Sequence, residues 1–236
     1  MSATQVAAGT YRRRIGVIAG LGPLAGANFY MRLVTATPAG SDQEHPDVVL
    51  LSDPAVPSRL DHLQGSGPSP VPHLQAMARR LEAADCELLV LTSVTTHAYF
   101  TDIASAVTVP VINGLTATAH ALRSAGIVRP ALAVTTPARS LGILDAALRE
   151  AGMEPCYPDP ETQDEIQSLV EAVKGGRPLP WLARDLDAAL HREWTRGTDA
   201  VLVGCTDISP LVPYLRDEVH DVAAILAEAA LAEARR

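Results

Sequence analysis

The sequence predicts an α/β fold of two pseudo-symmetric, doubly wound parallel-sheet domains, and three observations support this class. Short apolar runs alternate with longer segments of helical periodicity, which is typical of parallel sheets covered by helices on both faces. Two of the runs end in related polar clusters, "LTSVTTH" at 91–97 and "VGCTD" at 203–207. Since ligands of such sheets bind at the carboxyl ends of the strands, we expect both clusters to face one cleft between the domains.

The predicted strands are short apolar runs bounded by polar or turn-forming residues. In chain order they are 14–19, 47–51, 87–91, 109–112, 130–134 and 200–203. The two polar clusters follow the third and the sixth of these runs.

Segments with helical spacing lie between and after the runs. In one of them Leu74, Met77 and Leu81 fall on a single helical face. A serine at 140 is the expected cap of another helix, and Pro160 is the expected start of a third. The predicted helical segments are 24–37, 73–85, 140–152, 160–176, 181–197 and 220–236.

The positions of the two clusters suggest a division of the chain into similar halves. We expect an N-terminal domain of residues 12–114 plus a returning segment 212–236, and a second domain of residues 115–211. Segment 55–72, "AVPSRLDHLQGSGPSPVP", is rich in Pro, Ser and Gly. We expect it to form an ordered loop over the cleft, because Arg59 lies in it.

Composition limits the expected partners. With 19 basic and 27 acidic residues, a net charge of −8 and no basic stripe, the chain is not expected to bind nucleic acid. Its three cysteines have no metal-ligand spacing, so no metal is expected, and free thiols fit a reducing cytoplasm. No apolar run approaches the ~20 residues of a membrane span, so no membrane association is expected. The first residues are predicted to be a disordered tail.

"GLGPLA" at 20–25 has the form of a dinucleotide-binding fingerprint between a strand and a helix. The acidic residue that should follow about 20 positions later is not clearly present. A tight strand–helix turn is the favoured interpretation, and nucleotide binding is kept as an alternative.

These motifs together resemble the aspartate/glutamate racemase superfamily, and within it the aspartate racemases. The resemblance extends over nearly all of the chain from residue 14 and rests on segments such as "GLGPLA", "DPAVPSR", "TTHAYF", "AVTTPARS" and "VGCTDI". It implies two α/β domains with a cleft between them, usually in homodimers, and a small carboxylate substrate. It also implies no cofactor, because one cysteine from each domain flanks the substrate α-carbon.

The resemblance places Cys205 of "GCTD" at the second cysteine. The first cysteine, in a family pattern of Cys-Asn-Thr-x-His, is replaced here by Ser93, and the asparagine by Val94. Thr95 and His97 are retained.

The resemblance also assigns binding roles. Arg59 of "VPSR" matches the family's arginine, which binds the side-chain carboxylate of the substrate. A lysine that many aspartate racemases carry in the second domain aligns with Gln163 of this chain. A threonine and a histidine that the family carries near its last helix align with Val222 and Leu226 of this chain. The expected substrate-binding residues are Arg59, Thr95, Thr206, Leu21, Val94, Thr136 and Gln163, with His97 and Asp207 as supporting residues.

The two departures change the expected chemistry. A serine hydroxyl is a weak base unless a second base activates it, and His97 is either that base or, preferably, a supporting residue. Val94 cannot donate the hydrogen bond that the family's asparagine gives to the substrate carboxylate. The site is therefore expected to be modified from the family pattern, with Cys205 and Ser93 as its catalytic pair.

The sequence thus predicts a cofactor-independent racemase- or isomerase-type enzyme that acts at the carbon next to a carboxylate of a small (di)carboxylate such as aspartate or glutamate. One-thiol members of the superfamily, such as arylmalonate decarboxylases, suggest the main alternative. That alternative is a decarboxylase, tautomerase or isomerase of a substrate that is not an amino acid. A ligand-binding protein without turnover is a further alternative.

Overall fold

The computed structural model describes residues 11–236, and it confirms an α/β fold with two parallel sheets. Most of the predicted N-terminal tail lies outside the described residues. No helix within residues 11–236 is long and apolar enough to cross a bilayer.

The first sheet has four parallel strands in the order β2-β1-β3-β4. Its strands are β1 (Ile15–Ala19), β2 (Val48–Ser52), β3 (Leu88–Leu91) and β4 (Val111–Ile112). β1 and β3 are adjacent and fully buried, as expected of central parallel strands that are covered on both faces. Gly16 is required at this contact, since a Cβ there would lie 2.6 Å from a methyl carbon of Leu89.

The second sheet has three parallel strands in the order β5-β6-β7. Its strands are β5 (Pro130–Ala133), β6 (Ala200–Val203) and β7 (His220–Asp221). Cys156 forms an isolated parallel bridge to Ala131 of β5. With this bridge in the place of β2, the second sheet repeats the order of the first, and β6 takes the place of β3.

The helices lie between and after the strands. They are α1 (Pro23–Ala36), α2 (Arg59–Leu63), α3 (Val71–Glu82), α4 (Phe100–Ala104), α5 (Gly114–Ser124), α6 (Thr136–Ser140), α7 (Asp145–Glu150), α8 (Pro160–Lys174), α9 (Leu179–Leu190) and α10 (Val222–Ala234). Short 3₁₀ helices follow β3 at Thr95–Tyr99 and β6 at Ser209–Tyr214.

One helix start is wrong in the sequence prediction. Ser140 does not cap a helix but ends α6, and the chain then turns through Gly142, which has φ 59°. α7 therefore begins at Asp145. Segment 55–72 also differs from a simple loop, because it contains α2 and the first residues of α3.

The last helix joins the two halves. Its residues Leu226, Ala230 and Leu231 pack with β1 and β3 in the core of the first sheet, while Val222 and Ile225 pack in a core cluster with β5 and β6. β7 belongs to the second sheet. The chain thus returns to the first sheet at α10, beyond the predicted position at residue 212, and the domain limits themselves stay a prediction.

Candidate active site

A small cavity of about 190 Å³ lies where the carboxyl ends of β3 and β6 meet. Eight of the residues expected from the sequence line it: Leu21, Arg59, Ser93, Val94, Thr95, Cys205, Thr206 and Asp207. The structure therefore brings both polar clusters to one cavity, together with the segment that carries Arg59.

Ser93 is presented by the abrupt end of β3. The Thr92 hydroxyl donates to the carbonyl of Ile18 on the neighbouring strand at 3.1 Å, and a 3₁₀ helix begins at Thr95. Between them Ser93 is 7% exposed and borders the cavity. A hydroxyl at this point can contact a small substrate.

His97 lies behind Ser93 and contacts backbone groups with both ring nitrogens. Nδ1 donates to the carbonyl of Ser93 at 3.0 Å, and Nε2 accepts from the amide of Gly114 at 2.9 Å. Burial lowers the pKa of His97 to about 4, against hydrogen bonds with the backbone of Ser93 and Val94. The ring is neutral at pH 7, and neither nitrogen is free for the Ser93 hydroxyl, so the geometry favours the supporting role.

Cys205 follows β6 through Gly204, where a Cβ would lie 2.7 Å from a methyl carbon of Val134. The thiol is buried, and its pKa is raised to about 12, first by burial and then by the charge of Asp207. Hydrogen bonds from the backbone of Asp207 and Ile208 and the charge of Lys174 act in the opposite direction. In the free protein the thiol is thus protonated at neutral pH, with cationic and N–H groups placed to stabilise a thiolate.

Lys174 is a site residue that the sequence analysis missed. Its Nζ lies 3.0 Å from Oδ2 of Asp207, and both residues line the cavity. Lys174 ends α8, and Gln163, Gln167 and Val170 precede it at helical spacing on the same face. This spacing from Gln163 was the signal in the sequence that could have found it.

Gln163 and Thr136 are not among the residues that line the cavity. The Gln163 amide donates to the carbonyl of Val134 at 2.9 Å and accepts from Arg139 at 3.4 Å. The backbone amide of Thr136 donates to Gln167 at 3.0 Å. Thr135 and Gln167 border the cavity instead, and Lys174 of the same helix also lines it.

Val222 and Leu226, where the resemblance placed a threonine and a histidine, are buried in apolar clusters.

Arg59 borders the cavity with a guanidinium that is incompletely satisfied. It donates to the carbonyls of Pro57 at 3.2 Å and Leu21 at 3.4 Å, while its Nε is buried without a partner in the described chain. Among residues 11–236 the ion pairs do not include Arg59. Burial lowers its pKa, against the charge of Asp207. A half-buried guanidinium without a carboxylate is suited to bind an anionic ligand.

The turn "GLGPLA" is packed by protein groups. Gly20 has φ 90°, and a Cβ there would lie 2.4 Å from the backbone nitrogen of Asp53. A Cβ on Gly22 would lie 2.9 Å from Oδ1 of Asp207. The glycines thus allow the second strand end and the Asp207 carboxylate to approach this turn. Within residues 11–236 no group of three His, Cys, Asp or Glu side chains could hold a metal ion.

The chain belongs to the Asp/Glu/hydantoin racemase family, whose model matches residues 18–234. It is 23% identical over 219 residues to the broad specificity amino-acid racemase RacX of Bacillus subtilis strain 168, covering 87% of this chain and 90% of that protein. Its fold is similar to that of Picrophilus torridus aspartate racemase, with a TM-score of 0.84, 25% identity and 94% of each chain covered. An aspartate racemase homologue from Pyrococcus horikoshii OT3 has a TM-score of 0.74 at 22% identity, covering 95% of this chain and 100% of that one.

Proposed function

We propose that this protein is a cofactor-independent racemase- or isomerase-type enzyme, with Cys205 as the acid/base, acting at the carbon next to a carboxylate of a small dicarboxylate such as aspartate or glutamate. The observation that carries the proposal is that Cys205, Arg59 and Lys174 border one small cavity. That combination provides an acid/base group and cationic groups for carboxylates in one place.

The charges of the cavity favour an amino dicarboxylate. Arg59 and Lys174 are cationic and Asp207 is anionic, so together they leave one positive charge. Aspartate and glutamate carry two carboxylates and one ammonium, which leaves one negative charge. Arg59 would bind the distal carboxylate through two N–H groups, and Asp207 offers an acceptor for the ammonium group.

The proton transfer follows from the surroundings of Cys205. Cys205 must first lose its thiol proton to solvent; the resulting thiolate takes the α-proton, and the electron pair moves into the carboxylate to give an enediolate. The Thr95 and Thr206 hydroxyls and nearby backbone N–H groups stabilise this anion. Return of a proton from Cys205 restores the starting enantiomer, and a proton from the Ser93 side gives the other.

A one-thiol reaction is the second candidate function. Its support is the pairing of a serine at the first strand end with a thiol whose pKa is raised to about 12. A protonated Cys205 is suited to deliver a proton to an enediolate formed by another route, such as loss of carbon dioxide. This would be a decarboxylase, tautomerase or isomerase of a substrate that is not an amino acid.

The proposal includes no cofactor, a homodimer in the cytoplasm and no nucleic-acid or membrane partner. These parts follow from the resemblance and the composition. Light scattering of the purified protein tests the dimer directly.

The decisive experiment follows the α-hydrogen in deuterated water by NMR, from each enantiomer of aspartate and glutamate separately. The racemase proposal requires α-deuterium uptake with inversion, absent from Cys205→Ser and retained by Cys156→Ser. Release of carbon dioxide from a malonate without exchange of the amino acids would favour the one-thiol alternative. If no carbon acid is turned over, the remaining interpretation is a ligand-binding protein without catalytic activity.

Arg59→Lys tests the assignment of the dicarboxylate. KM should rise about tenfold, equivalent to ~1.4 kcal/mol, for a dicarboxylate and less for a matched monocarboxylate, since lysine lacks the planar fork. The exposed Arg79→Lys is the control. Equal changes for both substrates would make Arg59 a structural residue.

A further inference from the structure

A polar cluster of the partly exposed Arg32 and the buried Ser209 and Asp221 lies next to the turn that carries Cys205. Nη2 of Arg32, on α1, lies 2.8 Å from Oδ2 of Asp221 and donates to the carbonyl of Ser209 at 3.2 Å. The Ser209 hydroxyl donates to Oδ1 of Asp221 and lies 3.5 Å from the carbonyl oxygen of Cys205.

This cluster contacts the Cys205 segment on both sides. Before Cys205, Val203 of β6 pairs in register with Asp221 of β7. After it, the turn closes through the Ile208 amide, which donates to the Cys205 carbonyl at 3.1 Å, and through Ser209. The thiol is therefore carried by a short segment whose two ends both meet the Arg32 cluster.

The cluster also crosses between the two halves of the protein. α1 follows β1 of the first sheet, whereas Asp221 lies in β7 of the second sheet and Ser209 begins the 3₁₀ helix after β6. Ser209 and Asp221 are 0% and 4% exposed. A carboxylate at that depth is stabilised by a cationic partner. Burial raises the pKa of Asp221, against the Ser209 hydrogen bond and the charge of Arg32, so the guanidinium of one half acts on a buried carboxyl next to the thiol of the other.

We propose that Arg32 is a positioning residue for Cys205, holding its turn at the cavity through Asp221 and Ser209. The proposal rests on the proposed function only in that Cys205 is the acid/base there. Arg32 is not among the residues that line the cavity, so its effect on turnover must pass through the Cys205 segment.

Loss of Arg32 would leave the Asp221 carboxylate buried without its cation and would remove one donor to the Ser209 carbonyl. The turn would relax, and the thiol would leave the orientation needed for proton transfer. Substrate binding by Arg59 would change little. The expected signature is therefore a lower kcat at nearly constant KM, with faster alkylation of a thiol that is 7% exposed in the intact protein.

The test compares Arg32→Met, Arg32→Lys and Ser209→Ala with a matched control, Arg216→Met. Arg216 pairs with the buried carboxylate of Asp187 away from the cavity. The measurements are kcat, KM and the rate of Cys205 alkylation by iodoacetamide, read by peptide mass spectrometry, with circular dichroism as the check on folding.

For Arg32→Met we expect kcat to fall about 10-fold to 100-fold with KM within about twofold. Alkylation of Cys205 should become at least about threefold faster. Arg32→Lys should retain most activity, because a single nitrogen of Arg32 makes both contacts. Ser209→Ala should also lower kcat and speed the alkylation of Cys205, but by less than Arg32→Met does. If Arg32→Met does not fold, Ser209→Ala serves as the test.

Equal effects of Arg32→Met and Arg216→Met on kcat and alkylation would overturn the proposal, as would a change confined to KM. If the native protein turns over no carbon acid, the proposed function fails. The alkylation rates then still decide whether Arg32 positions Cys205.

Discussion

Ser93 and Cys205 occupy corresponding places in the two sheets, at the ends of β3 and β6, but different groups surround them. Behind Ser93 lies the neutral ring of His97, with both nitrogens bound to backbone groups. Beside Cys205 lie the charged pair Asp207 and Lys174 and two backbone N–H groups that favour a thiolate.

The difference shows that a repeated arrangement of strands does not provide two equivalent chemical groups. At the β6 end, charges of both signs and backbone N–H groups act on the ionisation of the thiol, whereas at the β3 end a neutral hydroxyl is backed by a neutral ring. The two halves thus share a topology but are expected to divide the proton transfers unequally.

The largest expected effect concerns this division directly. Cys205→Ser should lower turnover by about 10²–10⁴-fold, the usual contribution of an acid/base group, while Ser93→Ala should lower it less. Steady-state kinetics in both directions checks this, with Cys156→Ser as the control. Equal losses from the two site variants would show that the strand ends are equivalent after all.

The next effect comes from making the β3 end resemble the family pattern. Ser93→Cys alone should give weak or no racemisation of aspartate, since Val94 lacks a donor for the carboxylate. Ser93→Cys with Val94→Asn should give about tenfold more than the native protein. Optical rotation and α-deuterium uptake measure this, and Ser93→Ala with Val94→Asn is the matched control.

Val94 also packs in an apolar cluster, so circular dichroism must accompany the double variant. If the native protein racemises aspartate in both directions as fast as the double variant does, a serine at position 93 is sufficient for the reaction. A folded but inactive double variant would show that the cavity differs from the family pattern at further residues.

A smaller effect concerns the pKa of Cys205, on which the two neighbouring charges act in opposite directions. Because the charge of Asp207 raises the thiol pKa and that of Lys174 lowers it, Asp207→Asn should lower the pKa and Lys174→Met should raise it. The rate of Cys205 alkylation as a function of pH measures both shifts. Asp164→Asn, which removes an exposed carboxylate of α8, should leave the profile unchanged; a comparable shift there would mean that the effect is not local.

The last prediction concerns stability and not turnover, and it tests the β3 end. The pKa of His97 is lowered from 6.5 to about 4, so the folded state favours the neutral ring. Its contribution, up to ~3 kcal/mol, is present above pH 6.5 and is lost as the pH falls through about 4. Urea unfolding from pH 7.5 to 4 should show a shallower decline for His97→Gln than for native protein. The exposed His73→Gln should follow the native curve, and an unchanged slope in His97→Gln would contradict the buried, neutral ring.

Local sequence patterns correctly located the strand ends and five of the ten helices within residues 11–236, namely α1, α3, α8, α9 and α10, whereas α2, α4, α5 and α6 were not predicted. The apolar runs before Ser93 and Cys205 required burial, and the polar residues after them required an end to the sheet, so both positions could be placed without the structure. Pro160 at the start of α8 and two glycines after its end likewise fixed that helix. Motifs of this kind also carried the family assignment.

Most of the failures have tertiary causes, and one is a local turn at a glycine. The two-residue strand β7 has no sequence pattern of its own and exists because it pairs with β6. The helix predicted from Ser140 is broken by a turn through Gly142. Thr136 and Gln163 were expected at the substrate, but they face backbone and side-chain partners of the second half.

The sequence by itself therefore determined the fold class, the family and the two residues at the strand ends, because each is encoded in a contiguous stretch. The tertiary structure alone decided the ionisation of those residues. The raised pKa of Cys205 and the pairing of Lys174 with Asp207 depend on burial and on charges that come from separate elements. The same is true of Arg32, whose contacts lie on residues far along the chain. Such interactions depend on distances through space, which a linear pattern does not contain.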